Sequence, residues 1–224
     1  MCGRFTLHTR AEQIGEAFHL AGVPARELSP RYNIVPAQDI AIIRSAERGR
    51  EMVMARWGLI PGWSKESKSK YATINARIES VAEKPTYRTP FRRQRCLIPA
   101  DGFYEWKQDA GNKIPHHIRM KDGKVFAFAG LWDHWEGEGE SEQIESCTII
   151  VMPANAVMKP IHERMPAIIA AKDYDAWLDP GVTNKQEIMQ YLDSAPSSDL
   201  TAYPVSTRVN SAKNNDARCI EPAG

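Results

Sequence analysis

The chain has 224 residues, 42% hydrophobic and 25% charged, which suits one compact domain with a sizeable core and excludes global disorder. Its formal net charge of +1 gives no bulk signal of a nucleic-acid binder. The four cysteines, Cys2, Cys96, Cys147 and Cys219, are too scattered for a zinc-ligand spacing or a Cys-x-x-Cys redox pair. No segment reaches the roughly 20 apolar residues of a membrane helix, and residues 1–20 lack the apolar stretch of a secretion signal. These features predict a soluble cytoplasmic protein with free thiols, no metal and no cofactor.

In chain order, Thr9 and Glu12 have capping-box spacing, and Ala11, Ile14, Ala17 and Phe18 recur on one helical face. This predicts a helix ending near Gly22-Val23-Pro24. Residues 39–44 and 51–57 read as strands joined across Glu47-Arg48-Gly49-Arg50. Trp57 to Trp63 is too rich in glycine and proline for a helix and reads as an ordered loop, and Ser64 to Lys70 reads as exposed and mobile.

Further strands are predicted at 95–99, 103–107, 116–120, 124–132 and 144–152, with turns at Asp109-Ala110-Gly111-Asn112 and Asp122-Gly123. The near-continuous β-prone run from Ile144 to Met152 predicts a central strand. A short helix over Asp173–Leu178 stops at Pro180, and Asn184 with Glu187 caps another reaching about Leu192. No repeat or long linker divides the chain. The pattern is that of an α+β fold, a single strand-rich domain over residues 1–224 with outer helices.

Charge is unevenly spread. Five basic and no acidic residues lie from Lys84 to Arg95, and six acidic residues without lysine or arginine from Asp133 to Glu145. Such asymmetry can orient a polyanion, or it can mark two solvated loops.

The most specific chemical feature is Cys2 in Met1-Cys2-Gly3-Arg4-Phe5. Initiator methionine is normally removed ahead of a small second residue, leaving an exposed terminal cysteine with an amine and a thiol on adjacent carbons. An α-amine titrates near pH 7.7–8.0, against about 10.4 for lysine, so far more of it is a free nucleophile at neutral pH. An aldehyde meeting this pair forms an imine and then closes to a thiazolidine. By position alone, Cys2 could equally be a small buried hydrophobe.

Six further segments follow: Arg31-Tyr32-Asn33-Ile34-Val35-Pro36, Trp57-Gly58-Leu59-Ile60-Pro61, Ile74-Asn75-Ala76-Arg77-Ile78-Glu79, Cys96 through Lys107, Ile161-His162-Glu163-Arg164-Met165-Pro166 and Val209-Asn210-Ser211-Ala212-Lys213-Asn214. In this order the chain resembles the SOS response-associated peptidase family, the abasic-site processing proteins, over nearly its whole length. The resemblance implies a mixed or antiparallel, barrel-like β core. It implies a sensor and shield of abasic sites in single-stranded DNA, acting through a thiazolidine cross-link at Cys2. Lyase-type chemistry, self-cleavage that releases Met1 and slow cross-link reversal come with it.

The same resemblance places site roles on Asn75, Glu105 and His162, and DNA contact on Arg4, Arg77 and Arg164. It implies a monomer on single strands or single-strand/double-strand junctions, associated with the nucleoid when bound. Chemically, His162 suits protonation of the departing ring oxygen of the sugar, Glu105 suits proton shuttling at the imine, and Asn75 suits orientation without charge. Trp106, Trp132 and Trp135 read as packing residues.

Two other readings stand beside this one. An N-terminal-nucleophile amidohydrolase of the glutamine amidotransferase type also begins Met-Cys-Gly, but here Arg4-Phe5 follows and no glutamine-binding segment is evident. A non-catalytic DNA-binding module would make Cys2 incidental.

Overall fold

A computed structural model describes residues 2–22, 28–67, 73–137, 142–192 and 199–223. Among these residues thirteen strands form: β1 Phe5–Leu7, β2 Arg31–Ile34, β3 Asp39–Ala46, β4 Gly49–Trp57, β5 Asn75–Arg77, β6 Arg95–Ala100, β7 Gly102–Asp109, β8 Asn112–Met120, β9 Phe126–Glu136, β10 Gln143–Pro153, β11 Arg164–Pro166, β12 Ile168–Ile169 and β13 Leu200–Pro204. Four short α-helices accompany them: α1 Ala11–Ala17, α2 Arg88–Arg93, α3 Tyr174–Leu178 and α4 Lys185–Tyr191.

Strands β10-β4-β3-β6-β9 form one path, and β9 pairs back with β10, closing a five-stranded barrel. Its pairings are antiparallel except β10 with β4. Closure removes the open edges that such apolar strands would otherwise present. The predicted centrality of the Ile144–Met152 run is observed: β10 holds β4 and β5 in parallel pairing, and β9 and β11 in antiparallel pairing.

A second sheet, ordered β13-β8-β7-β1-β2, leaves the barrel where β6 runs through Asp101 into β7. Edge-to-face rings join the two layers, with Phe5 5.3 Å from Trp57 and 5.8 Å from Phe128, and Phe103 5.9 Å from Phe128. Such pairs add about 0.5–1.5 kcal/mol each beyond area burial.

Most long elements lie where the pattern predicts. Glu47-Arg48 form the β3–β4 turn, with Gly49 at φ 108°, and Ala110-Gly111 turn β7 into β8 with both φ values positive. Asn184 caps α4 by accepting from the Gln186 and Glu187 amides.

The N-terminal helix differs at both ends. Thr9 does not cap α1: its hydroxyl and its amide, the latter over 2.9 Å, donate to the buried Asp101 carboxylate, and Arg10 occupies the cap without a side-chain bond. A buried carboxylate at the sheet-to-sheet joint needs donors more than a helix end needs an acceptor. The helix also ends at Ala17, before Gly22. His19 takes φ 49°, and the Leu20 and His19 amides return to the Gly15 and Glu16 carbonyls, a Schellman close. Val23 and Pro24, and residues 68–70 of the run predicted to be mobile, lie outside the described residues.

Buried Arg95 ties α2 to α3. Its guanidinium donates to the Phe91, Arg92, Trp177 and Asp179 carbonyls, and burial lowers its pKa to about 10. Arg95→Met strips donors from several buried carbonyls, each costing about 1–3 kcal/mol. A loss of roughly 3–5 kcal/mol in urea unfolding is expected; a loss under about 1 kcal/mol would mean water replaces the guanidinium.

Candidate active site

Cys2 precedes β1 and is fully buried, as are Cys96, Cys147 and Cys219, all four as free thiols. The expected exposure of the terminal aminothiol is therefore not met in the chain that carries residue 1. Burial first, and the Glu105 carboxylate second, push the Cys2 thiol far above its ordinary range, so it rests protonated at neutral pH. Met1 itself lies outside the described residues.

Strand β5 brings Asn75 to Cys2. The Asn75 amide nitrogen donates to the Cys2 carbonyl over 2.8 Å, while its side-chain oxygen is buried with no hydrogen-bond partner among the described residues. An orphan buried acceptor costs about 1–3 kcal/mol, and at this place it is available to an incoming hydroxyl or ammonium.

Glu105 lies on β7, just past the point where Phe5 of β1 pairs with Phe103 and the Tyr104 amide donates to the Arg4 carbonyl. Its side chain is buried at 3% exposure. Burial raises the carboxyl pKa, and the N-terminal positive charge and His162 pull it partway back. A glutamic acid held above its usual range, beside a thiol and an imidazole, is placed to give and take protons nearer neutrality.

His162 stands in the loop before β11. The Arg164 amide donates to its Nδ1 over 3.0 Å, and the Arg164 carbonyl lies 3.2 Å from the same nitrogen. In the neutral ring Nδ1 accepts from the amide, which assigns the proton to Nε2; in the imidazolium Nδ1–H donates to the carbonyl. One backbone residue thus holds both protonation states in a single orientation.

Glu105, His162 and Arg4 line one cavity of about 660 Å³, with Trp106, Lys107, Pro160, Ile161 and Asn210 among its other walls. Arg4 does more than face it. Its guanidinium donates to Asn33 Oδ1 over 3.0 Å, to the Val209 carbonyl and to the Asn210 carbonyl over 3.1 Å. It therefore braces the C-terminal segment as a cavity wall.

Asn33 completes that brace. Its amide donates to the Val209, Ser211 and Asn214 carbonyls over 2.8–3.2 Å. Its role was hidden in the sequence, where only its place in an ordered motif marked it. Trp106 packs against the Tyr104, Val205 and Val209 cluster, as read from the sequence, and it also walls the cavity: it is half-buried, its Nε1 fixed to Asn210 Oδ1 at 2.8 Å and its ring 5.8 Å from the Arg4 guanidinium. Trp135 is buried, and half-buried Trp132 stacks under Arg44.

Arg77 and Arg164 come together through β10. Val151 pairs with Arg77 of β5 on one edge, and Pro153 pairs with Arg164 of β11 on the other. Both influence Glu79, which Arg164 pairs directly; burial opposes its ionisation, but its own amide and the two arginines hold it below the usual carboxylate range. The fold thus brings Glu105, His162 and Arg4 to one cavity and holds Cys2 against Asn75 beside Glu105, while Arg77 and Arg164 flank β10 outside the cavity lining and share Glu79.

Among the described residues no helix is long and apolar enough to cross a membrane. The family model described as SOS response associated peptidase matches residues 1–212. The abasic site processing protein YoqW of Bacillus subtilis is 42% identical, with 99% of each chain covered. The abasic site processing protein HMCES of Xenopus tropicalis is 33% identical, over 85% of this chain and 65% of that one. A crystal structure of a protein from Bacteroides thetaiotaomicron superposes with a TM-score of 0.88 at 28% identity, covering 99% of this chain and all of the other. Nearly complete sequence coverage and a shared barrel agree, and the chain belongs to the SOS response associated peptidase family.

Proposed function

We propose that this protein senses and shields abasic sites in single-stranded DNA, trapping the open-chain deoxyribose aldehyde on Cys2 once residue 1 has been removed. The observation that carries the reading is that buried Glu105 and His162 line one cavity, while Asn75 holds the Cys2 carbonyl over 2.8 Å and the Glu105 carboxylate acts on the Cys2 thiol.

Hydrolysis of the Met1–Cys2 peptide bond, by the protein itself or by another peptidase, converts the Cys2 amide into an amine. His162 Nε2–H protonates the ring oxygen of the cyclic sugar as its C1 hydroxyl loses a proton, giving the aldehyde. The Cys2 amine adds to that carbonyl, and Glu105 moves the protons that let water leave as the imine forms. The Cys2 sulfur then attacks the imine carbon, its proton passes to nitrogen, and a five-membered thiazolidine closes. The Asn75 side-chain oxygen accepts from the amine or from a sugar hydroxyl. Capture by sulfur competes with β-elimination at the imine and leaves the strand intact.

Arg4, Arg77 and Arg164 provide the cationic surround for phosphates of a single strand or of a single-strand/double-strand junction, bound by a monomer. Because phosphate contacts release counterions, these three alone contribute about −2 to the slope of log affinity against log salt on single strands. Fluorescence anisotropy across a salt series reads it; equal affinity at low and high salt would remove these arginines from the interface.

The central experiment mixes the processed protein with uracil-containing single-stranded DNA and uracil glycosylase, then resolves a denaturing gel. A heat-stable shifted band supports the proposal. Ammonia release from glutamine without that band would favour the amidohydrolase. Intact mass establishes whether residue 1 is gone.

A further inference from the structure

The basic run from Lys84 to Arg95 is not accounted for by the site. Arg95 is consumed by buried carbonyls, but Lys84, Arg88, Arg92 and Arg93 are exposed. The Arg88 amide donates to the Lys84 carbonyl over 2.9 Å, so α2 continues a helical turn begun at Lys84. Lys84, Arg88 and Arg92 then follow one another at four-residue spacing along one side, about 6 Å apart by helical rise.

Stability does not explain this row. Like charges four residues apart repel. Arg88 is the first residue of α2, a turn without any acidic residue, so its charge opposes the helix dipole. Only Arg92 and Arg93, in the last turn, agree with it. Among the described residues none of the four cations has a carboxylate within 4.0 Å, whereas Arg44, Arg50, Arg164, Arg208 and Arg218 all do. Even neighbouring Glu83 is paired elsewhere, with Lys185 at 3.1 Å.

The row is also fixed to the site. Tyr87, buried between Lys84 and Arg88 in sequence, donates its hydroxyl to the Asn75 carbonyl over 3.4 Å. At the other end, Gln94 donates to Asp133, whose second oxygen accepts from the Gly62 amide beside Trp63, which is 68% exposed. A line of cations on one helical face thus runs between the strand bearing Asn75 and the segment bearing an exposed aromatic ring.

We infer that Lys84, Arg88 and Arg92 form a second phosphate track, engaging the backbone of a nucleic-acid strand that continues beyond the nucleotide held in the cavity. The inference rests on the reading of the cavity as a DNA site. Regular spacing close to that of neighbouring phosphates, with a stacking surface at the far end, favours a polynucleotide over an acidic polypeptide.

The test uses the Lys84→Gln/Arg88→Gln/Arg92→Gln triple variant of the full chain, its folding checked by thermal unfolding. Anisotropy is measured on a long undamaged single strand across a salt series, and cross-linking on a trinucleotide centred on an abasic site. The log–log salt slope should shrink by about 2, at roughly 0.7 per lost phosphate contact. Trinucleotide capture should keep its rate, and Arg88→Lys/Arg92→Lys should keep the parental slope.

An unchanged slope in the folded triple variant would overturn the track. So would a variant that loses polyglutamate binding while its DNA slope stays intact, which would assign the row to an acidic protein partner. Because the anisotropy uses undamaged DNA, failure of the capture chemistry alone would leave this measurement decisive.

Discussion

Replacing Cys2 with serine is expected to abolish the heat-stable adduct with abasic DNA while leaving the fold and the DNA affinity in place. Serine preserves the amine, so the imine still forms. A hydroxyl is a far weaker nucleophile than a thiol and does not close the ring at a competing rate. The stable product should fall by roughly two orders of magnitude or more, equivalent to about 2.7 kcal/mol at the transition state. Strand cleavage by β-elimination should rise in its place, and borohydride should trap the reducible imine in the variant. An undiminished heat-stable band from Cys2→Ser would end the thiazolidine reading. Cys2 is buried, so the small change in volume adds little strain beyond an unsatisfied hydroxyl.

The second large effect concerns Glu105, and it moves stability and activity in opposite directions. Burial raises the Glu105 carboxyl above its unfolded value of about 4.5. Between those two values the native state binds more protons than the unfolded chain. Stability attributable to this group therefore falls as pH rises through that window, and the penalty persists above it. Glu105→Gln removes the buried charge. In the chain that retains residue 1, the variant should be more stable at neutral pH, and its thermal midpoint should vary less with pH. Loss of proton shuttling should slow cross-linking by about 10²–10⁴-fold. Thermal unfolding from pH 4 to 8 and timed denaturing gels check the two halves separately. Wild-type capture rates in Glu105→Gln would remove the carboxyl from the chemistry. A drop in stability at neutral pH would show that the ionised carboxylate is a net structural partner.

These opposite signs are what a functional site leads one to expect. A buried glutamate and an Asn75 oxygen without a partner among the described residues are costs that the barrel carries, not contributions to it. The costs are affordable because the closed barrel and its aromatic bridge to the second sheet supply stability from residues that take no part in the chemistry.

The division between sequence and tertiary structure follows from the range of the forces involved. Strands β3, β4, β6 to β10 and helices α3 and α4 announce themselves locally, through apolar runs, turn glycines and the Asn184 cap. The ordered motifs likewise carry the family and the candidate residues Cys2, Asn75, Glu105 and His162. The strands that deliver two of the site regions, β5 and β11, have three residues each and no pattern of their own. They exist because β10 offers them hydrogen-bond partners, which no local window records. Thr9 leaves its expected cap for Asp101, 92 residues away in sequence, and Arg4 reaches the Val209 and Asn210 carbonyls more than 200 residues on. Burial of Cys2 is decided in the same way, by the packing around it. Composition and local spacing thus determine which elements and reactive groups the chain possesses. Long-range pairing and desolvation decide which groups meet, and in which protonation state they wait.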